Sequence, residues 1–179
     1  NKGGRTAGAN AAGGSESFKG AYRTAIVKVF DYTLARTGMN ASTLNSNKMP
    51  YTSTFFITAS TPSYYPDSKD LFVEIYFDPT TKKILGAEVF GEKGVDKRID
   101  VFSTAIYAGL TIDDLPHLDL AYAPPYSPAK DAVILAGYIS QNKINRKFNE
   151  ISVESLKKRI ASGKNGYRII DVRSAAEVE

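Results

Sequence analysis

The chain of 179 residues contains no cysteine and a single histidine, which excludes disulfides, thiol nucleophiles, zinc–thiolate centres and two-histidine metal sites within it. Its net charge of +4 is spread over interleaved acids and bases, and only Lys157-Lys158-Arg159 forms a dense run, so a solvated helix face is expected rather than a nucleic-acid surface. No apolar run approaches the ~20 residues that span a bilayer and no signal-peptide pattern opens the chain, which makes a soluble, cytoplasmic protein the default expectation.

In chain order, the small residues of Gly3 to Asn10 predict a helix that packs closely on another element, ended by Gly13-Gly14-Ser15. Residues 24–37 alternate and are rich in β-branched and aromatic types, which predicts one long bent strand or two strands in tandem. Asn40 to Asn47 fits a short helix with Asn40 as its N-cap. Tyr51 to Ala59 reads as a strand, and Ser60 to Ser68 as a loop carrying Pro62, Tyr64, Tyr65 and Pro66. Leu71–Phe77 and Lys83–Phe90 form the arms of an antiparallel hairpin, with Pro79 in the favoured second position of the turn.

From Val95 to Leu110 the spacing of Ile99, Phe102, Ile106 and Leu110 predicts an amphipathic helix. Thr111 to Leu115 reads as a second, short helix start, and Leu118 to Tyr122 as a short extended segment. Ala123-Pro124-Pro125-Tyr126-Ser127-Pro128 continues neither helix nor sheet, because its prolines lack amide donors. Asp131 to Ile144 is a further helix. After the polar linker 146–150, a helix from Ile151 to Ala161, a breaker at 162–166 and a strand at Tyr167–Val172 suggest a second domain that starts near residue 148 and is cut short, since one helix and one strand cannot bury a core. The strand-rich middle flanked by helices predicts an α+β fold, an antiparallel sheet with helices packed on one face.

The chemistry-bearing candidates are few. Gly91-Glu92-Lys93-Gly94-Val95-Asp96-Lys97 lacks the ending that reaches phosphate and metal in a phosphate loop, and Gly3 to Gly14 lacks the dinucleotide fingerprint, so neither predicts a nucleotide site. Asp113 and Asp114 suit a helix start electrostatically, and His117 reads as a surface or satisfied polar residue. The tyrosine loops are the best chemical signal: Tyr64 and Tyr65 lie between prolines, and Tyr122 and Tyr126 bracket Pro124-Pro125. A phenol is neutral near pH 7 and both donates and accepts, so such loops either present hydroxyls to a ligand or supply interface aromatics; spacing alone leaves both open.

Three motifs taken together carry a family resemblance. Ile26-Val27-Lys28-Val29-Phe30-Asp31, Gly94-Val95-Asp96-Lys97-Arg98-Ile99-Asp100-Val101 and Leu120-Ala121-Tyr122-Ala123-Pro124-Pro125-Tyr126-Ser127 resemble the dimerisation domain of the pyridine nucleotide-disulfide oxidoreductases, in their CoA-disulfide reductase and NADH oxidase branch. Asn1 to Arg5 is similar to the end of the flavin-domain helix, and Ile169-Ile170-Asp171-Val172-Arg173-Ser174-Ala175-Ala176-Glu177 to the first strand and turn of a rhodanese domain. The resemblance implies residues 1–14 as a remnant of the FAD-binding domain, 15–144 as the dimerisation domain, and 145–179 as a linker and truncated rhodanese-like start.

It also implies a homodimer whose parent uses FAD and NAD(P)H, held by upstream domains, on a CoA-type sulfur substrate, with no cofactor bound by this segment itself. Tyr64 and Tyr122 match the two tyrosines that the family sends across to the partner subunit's active site, and Tyr65 and Tyr126 would flank the substrate. Where the family often has a His before the first tyrosine and a Gly after Tyr-Tyr-Pro, this chain has Thr61-Pro62-Ser63 and Asp67, which leaves CoA disulfide, polysulfide and oxygen open as substrates. The alternative is a free-standing homodimeric interaction module that shares the fold without the catalysis.

Overall fold

The computed structural model describes residues 2–163, 166–174 and 178, so residues 164–165 of the expected helix breaker and 175–177 of the rhodanese-like motif fall outside it. The chain divides into two compact units, Asn1–Lys147 and Phe148–Glu179. In the first, the elements are α1 (Lys2–Ala11), β1 (Ala25–Val29), β2 (Tyr32–Gly38), α2 (Ala41–Ser46), β3 (Thr52–Ala59), β4 (Asp70–Phe77), β5 (Ile84–Gly91), α3 (Val95–Ala108) and α4 (Ala132–Ile144). A 3-10 turn at Leu115–His117 precedes α4. The second unit contains α5 (Val153–Ala161).

All five strands pair antiparallel in the order β1-β2-β5-β4-β3. The period of two along each strand assigns the faces. Phe56, Val73, Val89 and Ala35 are register partners in succession across four strands, as are Thr54, Ile75, Ala87 and Thr37, and all are buried. Two helices cover this face: α3 lies on β5 and β2, and α4 on β3 and β4. Val95, Ile99, Phe102, Val133 and Ala136 complete the core. Each side chain of the Leu, Ile, Val or Phe type fully buried there contributes about 1.5–3 kcal/mol over exposure. The α+β architecture expected from the sequence is the one observed.

The helix ends follow their local chemistry. Asn40 caps α2 by accepting from Thr43 N, and Asp131 caps α4 by accepting from Val133 N. Gly109 stops α3 in the left-handed conformation, so the helix ends at Ala108 rather than at Leu110. A Cβ on Gly86 would overlap the Met39 carbonyl, so only glycine lets the chain leaving β2 lie this close to β5.

One local expectation is narrowed and two are corrected. Residues 24–37 are an antiparallel hairpin, with Ala25 opposite Arg36 and Val29 opposite Tyr32. Its turn passes through Phe30 in the left-handed region (φ 53°), a conformation that an aromatic residue does not advertise. Thr111 does not open a helix: it bridges to Lys83, and the helical turn begins four residues later at Leu115. Tyr167–Val172 forms no strand; Ile169, Ile170 and Val172 are exposed, because β-propensity without a partner strand leaves the backbone unpaired. Within that second unit Arg159 sits over the Tyr167 ring, 5.2 Å from its centroid.

The opposite face of the sheet is not covered by these helices. There Val27, Leu34, Phe90, Phe72 and Ile57 form a row across all five strands, with Tyr32 stacked on Phe90 at 5.2 Å between centroids. In the adjacent row Glu74 and Glu88 are direct partners. Tyr76, buried, donates to Glu88 Oε2 at 2.8 Å, which gives one of the two carboxylates a hydrogen bond.

Two outcomes follow from this packing. Gly86→Ala should destabilise the chain by about 1–3 kcal/mol, since the clash is with backbone rather than a movable side chain; urea unfolding at neutral pH measures it. Burial, and next the hydrogen bond to Glu88, push the Tyr76 phenol far above its ordinary pKa. Its contribution to stability is therefore complete below the unfolded value of about 10 and is lost as pH rises above it. Tyrosinate absorbance at 295 nm should show native wild type and Tyr76→Phe ionising the same number of phenols until alkaline unfolding begins. An extra phenol ionising in the native wild type would contradict this.

Candidate functional site

The two tyrosine loops are built differently but end at the same place. The first connects β3 to β4. Its neck is closed by Ser60 N donating to Lys69 O (2.7 Å) and Lys69 N donating to Ser60 Oγ (3.0 Å). Above the neck, Tyr65 N donates to Pro62 O at 2.8 Å, a turn that carries Tyr64 at its tip, 75% exposed, with Tyr65 half-buried behind it. Ion pairs from Lys69 to Glu92 (3.1 Å) and from Lys93 to Asp67 (3.7 Å) tie its far side to the β5–α3 turn.

The second loop runs from the 3-10 turn to α4. Tyr126 N and Ser127 N both donate to Ala123 O, closing a turn over Pro124-Pro125. Ser127 is buried, and its hydroxyl donates to Ala121 O at 3.3 Å. Tyr122 is 53% exposed and Tyr126 is exposed as well. Among the described residues none of the hydroxyls of Tyr64, Tyr65, Tyr122 and Tyr126 has a hydrogen-bond partner within the chain. Both loops are held by contacts that use none of the four phenols, so the hydroxyls remain available to something outside.

What joins the loops is a residue that lies within the second resemblance motif but to which the sequence assigns no role. Arg98, 1% exposed, lies inside the molecule at the start of α3. Its Nη2 donates to Ser60 O at 2.9 Å, at the neck of the first loop, and Nη1 donates to Gly94 O at 3.1 Å. On the other side it pairs with buried Asp131 at the end of the second loop, with Nη2 2.9 Å from Oδ2 and Nε donating to Oδ1 at 3.4 Å. Lys97 adds a contact to Ala121 O (3.3 Å), directly before Tyr122. Removing one member of such a buried pair strands the other charge without water, at a typical cost of about 3–5 kcal/mol. The sequence signal was present: Arg98 falls on the apolar stripe of Val95, Ile99 and Phe102, and a guanidinium on a buried stripe needs fixed acceptors.

The remaining candidates have structural roles. Gly94, at φ 71°, leaves room for the Arg98 guanidinium, which would collide with any Cβ there, so the Gly91–Gly94 segment is the turn that seats Arg98. Asp113 accepts from Lys82 (2.7 Å) and Gln141 (3.1 Å). Asp114 stands at the N-cap position of the 3-10 turn without capping it. It accepts instead from the Thr111 hydroxyl and amide, which hold its carboxyl below the usual carboxylate range. His117 is exposed. A concavity of about 530 Å³ lined by Tyr22, Arg23, Met39, Asn47 and Ile106 includes none of the four loop tyrosines. The sheet is antiparallel throughout, so these strands do not form the parallel βαβ unit that cradles a dinucleotide.

Comparison with known proteins agrees with this geometry. The coenzyme A disulfide reductase of Staphylococcus haemolyticus is 43% identical over 121 residues, 68% of this chain and 27% of that protein. The structure of a NAD-dependent persulfide reductase from A. fulgidus superposes with a TM-score of 0.82 at 42% identity, covering 85% of this chain and 28% of the other. Reduced Bacillus anthracis CoADR-RHD gives 0.83 at 38% identity, over 89% and 29%. The chain thus spans less than a third of the length of these relatives. Residues 24–133, which contain the five-stranded sheet, α3 and both tyrosine loops, match the pyridine nucleotide-disulphide oxidoreductase dimerisation domain, and the chain belongs to that family.

Proposed function

We propose that this chain is the dimerisation domain of a flavin-dependent NAD(P)H oxidoreductase acting on CoA disulfide, CoA persulfide or polysulfide. In this reading residues 1–14 end the FAD-binding domain, 15–144 form the dimerisation domain, and 145–179 lead into a rhodanese-like domain. FAD and NAD(P)H are held by upstream domains of the parent, and so is the redox cysteine, since this chain contains none. The alternative of a free-standing interaction module is less well supported, because the relatives named above are reductases of much greater length.

The observation that carries the reading is a pair of solvent-facing phenols, Tyr64 and Tyr122, on two loops tied to one buried ion pair. An exposed phenol without an internal partner, on a backbone braced this firmly, suits a site completed by another surface. In a two-fold dimer each copy would extend Tyr64 and Tyr122 into the other copy's active site. When the thiolate of the parent's redox cysteine attacks one sulfur of the substrate there and forms a new disulfide with it, the other sulfur leaves with the electron pair of the broken bond and then takes a proton. A phenol, neutral at pH 7, can hydrogen-bond the developing thiolate and supply that proton, an assistance typically worth about 10²–10⁴-fold. Tyr65 and Tyr126 would line the approach of the substrate. No step through the flavin is assigned to this chain.

The test is made on the full-length enzyme. Tyr64→Phe and Tyr122→Phe remove one hydroxyl each and keep the ring. Stopped-flow measurement should show reduction of the flavin by NAD(P)H within about twofold of wild type, and turnover of the sulfur substrate reduced by at least about tenfold. The dimer should persist in light scattering. Unchanged sulfur turnover in both variants would sink the catalytic assignment, and loss of the dimer would move the tyrosines to the interface.

A further inference from the structure

The loops that carry Tyr64 and Tyr122 are distant in sequence, and one side chain touches the anchor of each. Arg98 is 38 positions from Ser60 and 33 from Asp131, and it bonds to both. We propose that Arg98 and Asp131 are positioning residues: together they hold the two tyrosine loops in one fixed register, so that both phenols are presented as a unit. The catalytic consequence rests on the reading given under Proposed function; the register itself does not.

The geometry is specific to a guanidinium. Three acceptors from three elements surround it: the Ser60 carbonyl at the neck of the first loop, the Gly94 carbonyl before α3, and the Asp131 carboxylate at the end of the second loop. A planar fork with fixed donor directions engages all three at once, whereas a lysine ammonium is a single point that cannot. Asp131 is likewise doubly used. Its Oδ1 accepts from Val133 N to start α4, while Oδ2 faces Arg98 Nη2, so the helix, the loop before it and the guanidinium are set together. Lys97 extends the same control to Ala121, one residue before Tyr122, and lies 3.8 Å from Asp131 Oδ2.

The interior could have been filled by apolar side chains. Replacing a buried ion pair with hydrocarbon is often neutral or stabilising, so stability alone does not account for a charge here. What hydrocarbon cannot supply is direction. Ser60 O accepts from Nη2 at 2.9 Å, while the Asp131 carboxylate is held on the same guanidinium by Nε donating to Oδ1 at 3.4 Å and by the charge contact of Oδ2, 2.9 Å from Nη2, so the separation of the two loop anchors is set within the tolerance of these contacts. A misplacement of about 1 Å at a reacting group can cost ~10²-fold in rate, so this tolerance matters for two groups that must meet one substrate.

The test uses the full-length enzyme with Arg98→Lys and, separately, Asp131→Asn, which keeps an N-cap acceptor for α4 but removes the charge. Hydrogen exchange by mass spectrometry should show exchange rising in both 60–69 and 119–130 by about tenfold more than in 70–91. Rapid-mixing kinetics should show sulfur-substrate turnover down by ~10²-fold with flavin reduction unaltered. In a Tyr64→Phe, Tyr122→Phe background the same Arg98→Lys change should cost less than about threefold more, because its effect passes through those hydroxyls.

Exchange rising in one loop only, in neither, or equally through the sheet overturns the proposal. If the tyrosine variants are silent but both loops loosen together, the catalytic reading fails and the shared register stands. If the tyrosine variants lose sulfur turnover but the loops do not loosen, the register fails and the catalytic reading stands.

Discussion

A guanidinium enclosed by protein must find acceptors for its donors or forfeit several kcal/mol of lost hydration, and the arrangement of this domain around Arg98 answers that demand. Two of the acceptors are backbone carbonyls, which cannot move without moving their loops. The third is a carboxylate buried almost as deeply as the arginine. Because each acceptor belongs to a different element, satisfying one residue brings the β3–β4 loop, the start of α3 and the start of α4 to a common point. The left-handed Gly94 makes room for it, since the space beside its backbone is taken up by the guanidinium itself.

The sheet supplies the frame on which this junction rests. Strand register places Thr54, Phe56, Val73, Ile75, Ala87 and Val89 against the helices, and α4 is bound to β3 through Ser140 donating to Thr54 Oγ1 at 2.9 Å inside the core. A buried hydroxyl pair of this kind is directional in a way that methyl packing is not, so it resists sliding of the helix along the strand. Gly137, one turn before Ser140 on α4, lets the helix approach the 3-10 turn that leads into the second tyrosine loop, since a side chain there would strike Pro116.

The two faces of the sheet present different physics. The covered face is a close-packed hydrocarbon interior. The other carries an apolar row beside a pair of opposed carboxylates, Glu74 and Glu88, with a buried phenol bonded to one of them. Aromatic contacts run along it, Tyr32 to Phe90 to Phe72, and Tyr51 meets Tyr76 edge-on at 5.8 Å. Contiguous exposed hydrocarbon of this kind is a mark of interaction surfaces.

Much of the plan was legible in the residues. Periodicity marked β4 and α3, because those segments bury one face and their hydrophobic spacing records it, whereas β3, β5 and α4 were legible from composition and from the turns that bound them. Asn40 announced α2, and the prolines flanking the tyrosines announced loops. The β1–β2 hairpin was hidden because Phe30 adopts a left-handed conformation without glycine or asparagine to signal it. Tyr167–Val172 read as a strand because propensity is local, whereas a strand exists only where another backbone pairs with it. The phenols themselves could be named from their loops. That Arg98 bonds at the anchors of both loops could not, since Ser60 and Asp131 lie 38 and 33 positions away from it, and only the packed fold brings groups so distant in sequence within reach of one side chain.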